Sequence, residues 1–72
     1  MKETRLNDHE FVLTDCTLEQ AMCQKPASND YGVLELDGAF AIYWKPHYIT
    51  IRDDHDRQIV TASLQRKYDA VK

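Results

Sequence analysis

An Asp37-Gly38 pair between two apolar, aromatic-rich runs constrains the fold of this chain more than any other feature. The runs cover residues 31–36 (YGVLEL) and 39–44 (AFAIYW). An Asp-Gly pair flanked in this way is typical of the two-residue turn of a β-hairpin. The sequence therefore predicts two antiparallel strands joined by a tight turn.

The register of this hairpin has two solutions. A two-residue loop opposes Leu36 with Ala39 and makes both faces of the hairpin substantially apolar. A three-residue loop opposes Leu36 with Phe40 and gathers the large apolar side chains on one face. Turn chemistry favours the first register, because a three-residue loop usually needs glycine at its last position. Amphipathicity favours the second, so the sequence leaves the register open.

A strand and a short helix are predicted before the hairpin. Residues 10–14 (EFVLT) combine β-branched and aromatic side chains, as strands do. Thr17 followed by Gln20 has the form of a capping box, so a helix begins there, and it ends at Lys25 before Pro26. Three apolar residues share one face of this helix: Leu18, Ala21 and Met22. A helix of two turns is unstable alone, so this face is expected to dock on the sheet.

Two more strands are predicted after the hairpin. Residues 48–52 (YITIR) alternate with period two, residues 53–56 (DDHD) form a solvated turn, and residues 57–62 (RQIVTA) return as the next strand. Ser63 caps a final helical turn with an apolar face of Leu64, Tyr68 and Val71. The predicted fold is one α+β domain over residues 1–72: a small antiparallel β-α-β-β-β-β meander with one short helix on one face and a C-terminal helical turn.

A chain of 72 residues buries a small core, so a second stabilising factor is expected. Cys16 and Cys23 are not expected to form a disulfide, because a helix separates them by roughly 10 Å, beyond disulfide range. Histidines and cysteines lack the close pairing of a zinc site, so no metal or cofactor is expected. The charged N-terminus has no apolar signal segment and no run is long enough to span a bilayer, which predicts a cytoplasmic protein without membrane contact. A partner, or a second copy in a homodimer, remains as the stabilising factor.

Charge is distributed unevenly along the chain. Residues 1–37 carry three basic and eight acidic residues, a net charge of −5, whereas residues 38–72 carry six basic and four acidic residues, a net charge of +2. Such an asymmetry can steer a charged partner.

Residues 43–48 (YWKPHY) are the most unusual segment for function. Three large aromatic side chains, a lysine and a histidine follow one another at the end of a strand. Alternation along a strand directs Tyr43 and Trp44 to opposite faces, so one helix cannot cover both. Since tryptophan and tyrosine are enriched in binding hot spots, this segment is a predicted contact surface. The predicted protein-binding residues are Tyr43, Trp44, Lys45, His47 and Tyr48, together with the acidic Asp8, Glu10, Glu35 and Asp37.

These features favour a non-catalytic protein-binding module that acts by occupying a partner's surface. No glycine-rich phosphate loop is present, and no local pattern pairs a cysteine with a histidine, so an enzyme is not expected. The alternative is a small nucleic-acid-binding regulator. It would stack Tyr43, Trp44 or Tyr48 on bases and direct Lys45, Arg52, Arg57, Arg66 and Lys67 to phosphates. The acidic pI of about 5.4 makes direct nucleic-acid binding the less favoured prediction.

In its small size, acidity and lack of catalytic residues, the chain resembles phage or mobile-element proteins that inhibit a host complex by occupying its surface. This resemblance implies a viral, regulatory inhibitor. Its acidic side chains would then oppose a basic groove, such as one that a nucleic-acid-binding complex uses for its substrate.

Overall fold

The computed structural model describes residues 1–48 and 53–71. Its elements in chain order are β1 (Lys2–Arg5), β2 (Phe11–Thr14), α1 (Leu18–Gln24), β3 (Tyr31–Leu36), β4 (Ala39–Trp44), a 3₁₀ turn (Lys45–Tyr48) and α2 (Asp54–Val71). The α+β class and the small antiparallel sheet are confirmed. The two strands of the predicted hairpin have the bounds that the sequence predicts.

The hairpin adopts the register with the two-residue loop. Leu36 pairs with Ala39, and Tyr31 pairs with Trp44 at the other end. Gly38 has a φ of 72°, a conformation that costs glycine little and explains why glycine follows Asp37. Turn chemistry therefore decides the register, and both faces of the hairpin are apolar.

The sheet is antiparallel with strand order β1-β2-β4-β3, so β4 lies between β2 and β3. This arrangement corrects the predicted meander. β1 was not predicted, because its sequence KETR is charged and none of its side chains is buried. It pairs with β2 over its whole length, from Lys2 with Thr14 to Arg5 with Phe11.

Helices cover both faces of the sheet, which corrects the prediction of one short helix on one face. On one face, Ala21 of α1 packs in a cluster with Phe11, Leu13 and Ile42. On the other face, the cluster contains the two buried residues of α2, Val60 and Leu64, and five residues of the sheet: Val12, Leu34, Leu36, Ala39 and Ala41. The sheet is therefore the middle layer, and the apolar residues on both faces of the hairpin are explained.

The helix α1 begins and ends where the sequence predicts. The Thr17 hydroxyl accepts a hydrogen bond from the Gln20 backbone N–H at 3.2 Å, and the Gln20 side-chain oxygen accepts one from the Thr17 N–H at 2.9 Å. The predicted docking face is wrong in part. Ala21 is fully buried, but Leu18 and Met22 are 50% and 53% exposed. Because the helix contacts the sheet through its smallest apolar side chain, the two larger ones extend along its flank.

The strand predicted over residues 57–62 is wrong, because these residues belong to α2. Asp53, predicted in a turn, caps this helix: its carboxylate accepts a hydrogen bond from the Asp56 N–H at 3.0 Å. Ser63 lies inside the helix and does not cap it. Of the predicted strand 48–52, Tyr48 ends the 3₁₀ turn and residues 49–52 lie outside the described residues.

The cysteines are free thiols, Cys16 half-buried against the α1-side cluster and Cys23 exposed. No helix among residues 1–48 and 53–71 is long and apolar enough to cross a membrane.

Candidate functional site

The end of β4 collects most of the predicted site residues. Antiparallel pairing places this end beside the start of β3 and beside the residues that precede β2. The 3₁₀ turn then folds over the same end of the sheet. We call this region the aromatic end and define it by seven residues: His9, Glu10, Tyr43, Trp44, Lys45, His47 and Tyr48.

Trp44 is held between two histidines on the α1 side of the aromatic end. The His9 ring stacks on the indole at a centroid distance of 4.1 Å and an interplanar angle of 20°. The His47 ring meets the indole edge-on at 4.7 Å and 85°. His9 Nδ1 also lies 3.4 Å from the Tyr31 hydroxyl. Trp44 and His9 are half-buried, while Lys45 and His47 are exposed.

Tyr43 and Tyr48 lie on the opposite side of the sheet. Both pack against the α2-side cluster, and their rings meet edge-on at 5.8 Å. Lys67 of α2 places its Nζ 5.8 Å from the centre of the Tyr48 ring. The three large aromatic side chains of residues 43–48 therefore form no common stacking surface, because Trp44 points to one face and the two tyrosines to the other.

Glu10 is fully buried, which corrects its predicted place on an acidic surface. Its Oε1 accepts hydrogen bonds from Asn7 Nδ2 at 2.8 Å, from the Tyr48 hydroxyl at 3.4 Å and from Lys67 Nζ at 3.5 Å. Its Oε2 accepts one from the Trp44 backbone N–H at 3.2 Å. The carboxylate thus joins the loop between β1 and β2 to β4, the 3₁₀ turn and α2. Sequence reasoning missed this role, because three of the four donors lie 34 to 57 residues away.

The surroundings of Glu10 favour its charged form. Burial alone would raise the pKa of the carboxyl, but the hydrogen bonds from Asn7 and Trp44 and the charge of Lys67 outweigh it, and the pKa is lowered from 4.5. Burial and the nearby Glu10 charge raise the pKa of the Tyr48 hydroxyl above 10.0. For Lys67, burial opposes the charge, yet contact with Tyr48 and Glu10 raises the pKa of the amine above 10.5.

The nine predicted site residues form two groups at opposite ends of the sheet. Asp8 is exposed and lies next to the aromatic end. Glu35 and Asp37 are exposed at the hairpin turn, where Thr14 pairs with Ala39 and brings Asp15 near. Five residue steps along β4 separate the two ends, which is about 17 Å. The acids of the turn and the aromatic side chains therefore belong to two surfaces.

The described residues contain no group of three histidine, cysteine, aspartate or glutamate side chains placed to hold a metal ion. Comparison with protein-family models, characterised proteins and solved structures finds no match for this chain. The geometry of the aromatic end is therefore the basis for the proposed function.

Proposed function

We propose that this chain is a non-catalytic protein-binding module that occupies a surface of its partner and contacts it through the α1 side of the aromatic end. The observation that carries the proposal is the arrangement of Trp44 between His9 and His47. The indole is half-buried and already oriented, so binding costs it little further rotamer entropy. Tryptophan is also among the residues that contribute most to protein interfaces.

The chemistry around Trp44 supports binding over catalysis. Glu10, the one buried acid among the described residues, accepts four hydrogen bonds, and its side chain is closed off from solvent. Within the described parts of the chain, no hydrogen bond joins a cysteine to a histidine. The ionisable groups of the aromatic end thus act in holding the side chains in place.

The finer proposal is that the chain inhibits a complex that handles nucleic acid. The net charge of −3 and the exposed Glu35 and Asp37 at the turn support it, because these acids complement a basic groove. On this proposal the turn supplies charge attraction and the aromatic end supplies the specific contact. Reversing both turn acids to lysine should slow capture of the partner and weaken the salt dependence of association.

The test compares Trp44→Ala with Ile59→Ala, a matched truncation of an exposed apolar residue on α2 (55% exposed). A protein recovered on the immobilised chain from a lysate of native host cells is identified, purified and titrated against each variant. Trp44→Ala should weaken its affinity at least about tenfold, as loss of a hot-spot residue does, while Ile59→Ala changes it little. Circular dichroism establishes that both variants are folded.

Equal affinity of Trp44→Ala and the unaltered chain would contradict the proposed contact. Since Trp44 is the one tryptophan of the chain, its fluorescence also reports binding directly. A fluorescence change with a short single-stranded oligonucleotide, and with no protein, would favour the nucleic-acid-binding alternative.

A further inference from the structure

The two outer strands of the sheet differ in how they are protected from pairing with another strand. In β1, three of four residues are charged, and charge on an outer strand discourages further pairing. β3 has six residues, one charge at Glu35, and neither proline nor lysine. Among residues 1–48 and 53–71, no strand pairs with the outer side of β3.

The register of the hairpin determines which backbone groups of β3 face outward. Leu36 and Ala39 close the two-residue turn, so Leu36, Leu34 and Gly32 form the hydrogen-bonded pairs with β4. The carbonyl of Asp30 continues this alternation, since it accepts a hydrogen bond from the Lys45 N–H at 2.6 Å. The N–H and C=O groups of the three intervening residues, Tyr31, Val33 and Glu35, therefore point away from the sheet.

We propose that a second copy of this chain pairs antiparallel with β3 and that the two-fold axis passes at Val33. In this register Val33 opposes its own copy and Tyr31 opposes Glu35 of the second copy. All three outward-facing residues are paired in each chain, which gives six backbone hydrogen bonds.

Other registers are poorer. If the second copy is shifted by two residues in either direction, only two pairs of outward-facing residues remain opposite each other. These two pairs form four hydrogen bonds. A further shift towards the turn places Glu35 opposite Glu35 of the second copy, and like charges directly opposed are destabilising. In the register centred on Val33, the single charged residue of β3, Glu35, instead lies opposite the uncharged Tyr31 of the second copy.

An uncovered apolar strip on the α1 side of β3 supports the same partner. Val33, Tyr31 and Phe40 are half-buried there because α1 is too short to cover them. An open groove is lined by Met1, which precedes β1, and by five residues of α1 and its cap: Thr17, Glu19, Gln20, Cys23 and Gln24. The exposed Leu18 and Met22 do not line this groove, and the helical period places them on the flank opposite Gln20 and Gln24.

Pairing along β3 joins the two four-stranded sheets into one sheet of eight strands. The apolar strips of the two chains then lie side by side on the same face of this sheet. The apolar surface that one short helix leaves exposed is then partly covered by the other chain. This self-association goes beyond the function proposed above, because it uses the backbone of β3 and leaves the exposed faces of Trp44 and His47 free.

The first test measures the mass of the full chain by sedimentation over a wide concentration range. The unaltered chain should approach twice its mass of 8.4 kDa. Val33→Lys places two ammonium groups side by side on the axis and should raise the dimer dissociation constant at least about tenfold. Thr4→Lys makes a similar change on the other outer strand and should leave the dissociation constant unchanged. A monomer at every concentration, or a dimer equally sensitive to both variants, would overturn the proposal.

The second test reads the register and does not depend on how well Val33→Lys folds. In a Cys16→Ser, Cys23→Ser background, Val33→Cys should form an interchain disulfide on mild oxidation, because the Cα atoms of a hydrogen-bonded pair lie about 5.5 Å apart. Glu35→Cys should not, because four residue steps, about 13 Å, separate the two positions. Crosslinking through position 35, or through neither position, would refute pairing at Val33.

Discussion

Replacement of Glu10 by glutamine tests whether one buried carboxylate holds the layers of this domain together. The four groups that hydrogen-bond the Glu10 carboxylate all donate to it. Glutamine has the same shape but one acceptor oxygen, so its amide must face either the Trp44 N–H or the Asn7 amide, donor against donor. One charge-assisted hydrogen bond is lost and one buried donor is left unpaired, which costs about 2–4 kcal/mol.

This loss is large against the expected stability of the domain. A chain of 72 residues is stable by about 4–11 kcal/mol at typical values per residue. The assay is urea denaturation at neutral pH, followed by Trp44 fluorescence and circular dichroism. The matched control is Glu3→Gln, which removes an exposed carboxylate 3.8 Å from Arg5 and should change the free energy of unfolding by less than about 0.5 kcal/mol. If both variants lose the same small amount, the assigned role of Glu10 is wrong.

The pH dependence of the same pair of proteins gives an independent check. The pKa of Glu10 is lowered on folding, so its contribution to stability is present above about pH 4.5 and is lost as the pH falls through the folded value. The stability difference between the unaltered chain and Glu10→Gln should therefore shrink as the pH decreases below 4.5. A difference that stays constant through this range would mean that the charge of Glu10 contributes nothing.

Three further predictions concern other contacts. Gly32→Ala would place a Cβ 2.6 Å from the Tyr43 ring, so it should lower the free energy of unfolding, measured by urea denaturation, by about 1–3 kcal/mol. Adding Tyr43→Leu should recover part of this loss, and no recovery would contradict the clash. Thr17→Ala removes the helix cap and should cost about 1 kcal/mol, with the earliest hydrogen exchange in α1; unchanged exchange there would refute the capping role. Lys67→Met keeps the side-chain stem but removes the ammonium, so the pKa of Glu10 measured by NMR should rise while stability falls by less than about 1 kcal/mol; an unaltered pKa would exclude the ion pair.

Local sequence signals predict those parts of the fold whose determinants lie within a few residues. The Asp37-Gly38 turn specifies the hairpin and favours the register found, because the glycine accepts a positive φ. The Thr17 and Gln20 pair specifies where α1 begins, since both hydrogen bonds of the capping box join residues three apart.

The failures occur where local signals conflict with long-range packing. In α2, the β-branched Ile59, Val60 and Thr61 favour a strand by propensity. Val60 and Leu64 are four residues apart, so in a helix they lie on the same face. Their burial against both hairpin strands stabilises the helix over a strand. The amphipathic argument for the hairpin failed for the same reason, as a second helix covers the second face.

The sequence by itself determined the hairpin, the start of α1 and the adjacency of the aromatic side chains in residues 43–48. Only the tertiary structure decided that Trp44 and Tyr48 point to different faces, that Glu10 is buried and that the turn acids lie at the far end of the sheet. The physical reason is the origin of the interactions. A turn or a cap is stabilised by neighbours in the chain, whereas the Glu10 carboxylate is stabilised mainly by donors from β4, the 3₁₀ turn and α2, which meet only when the layers pack.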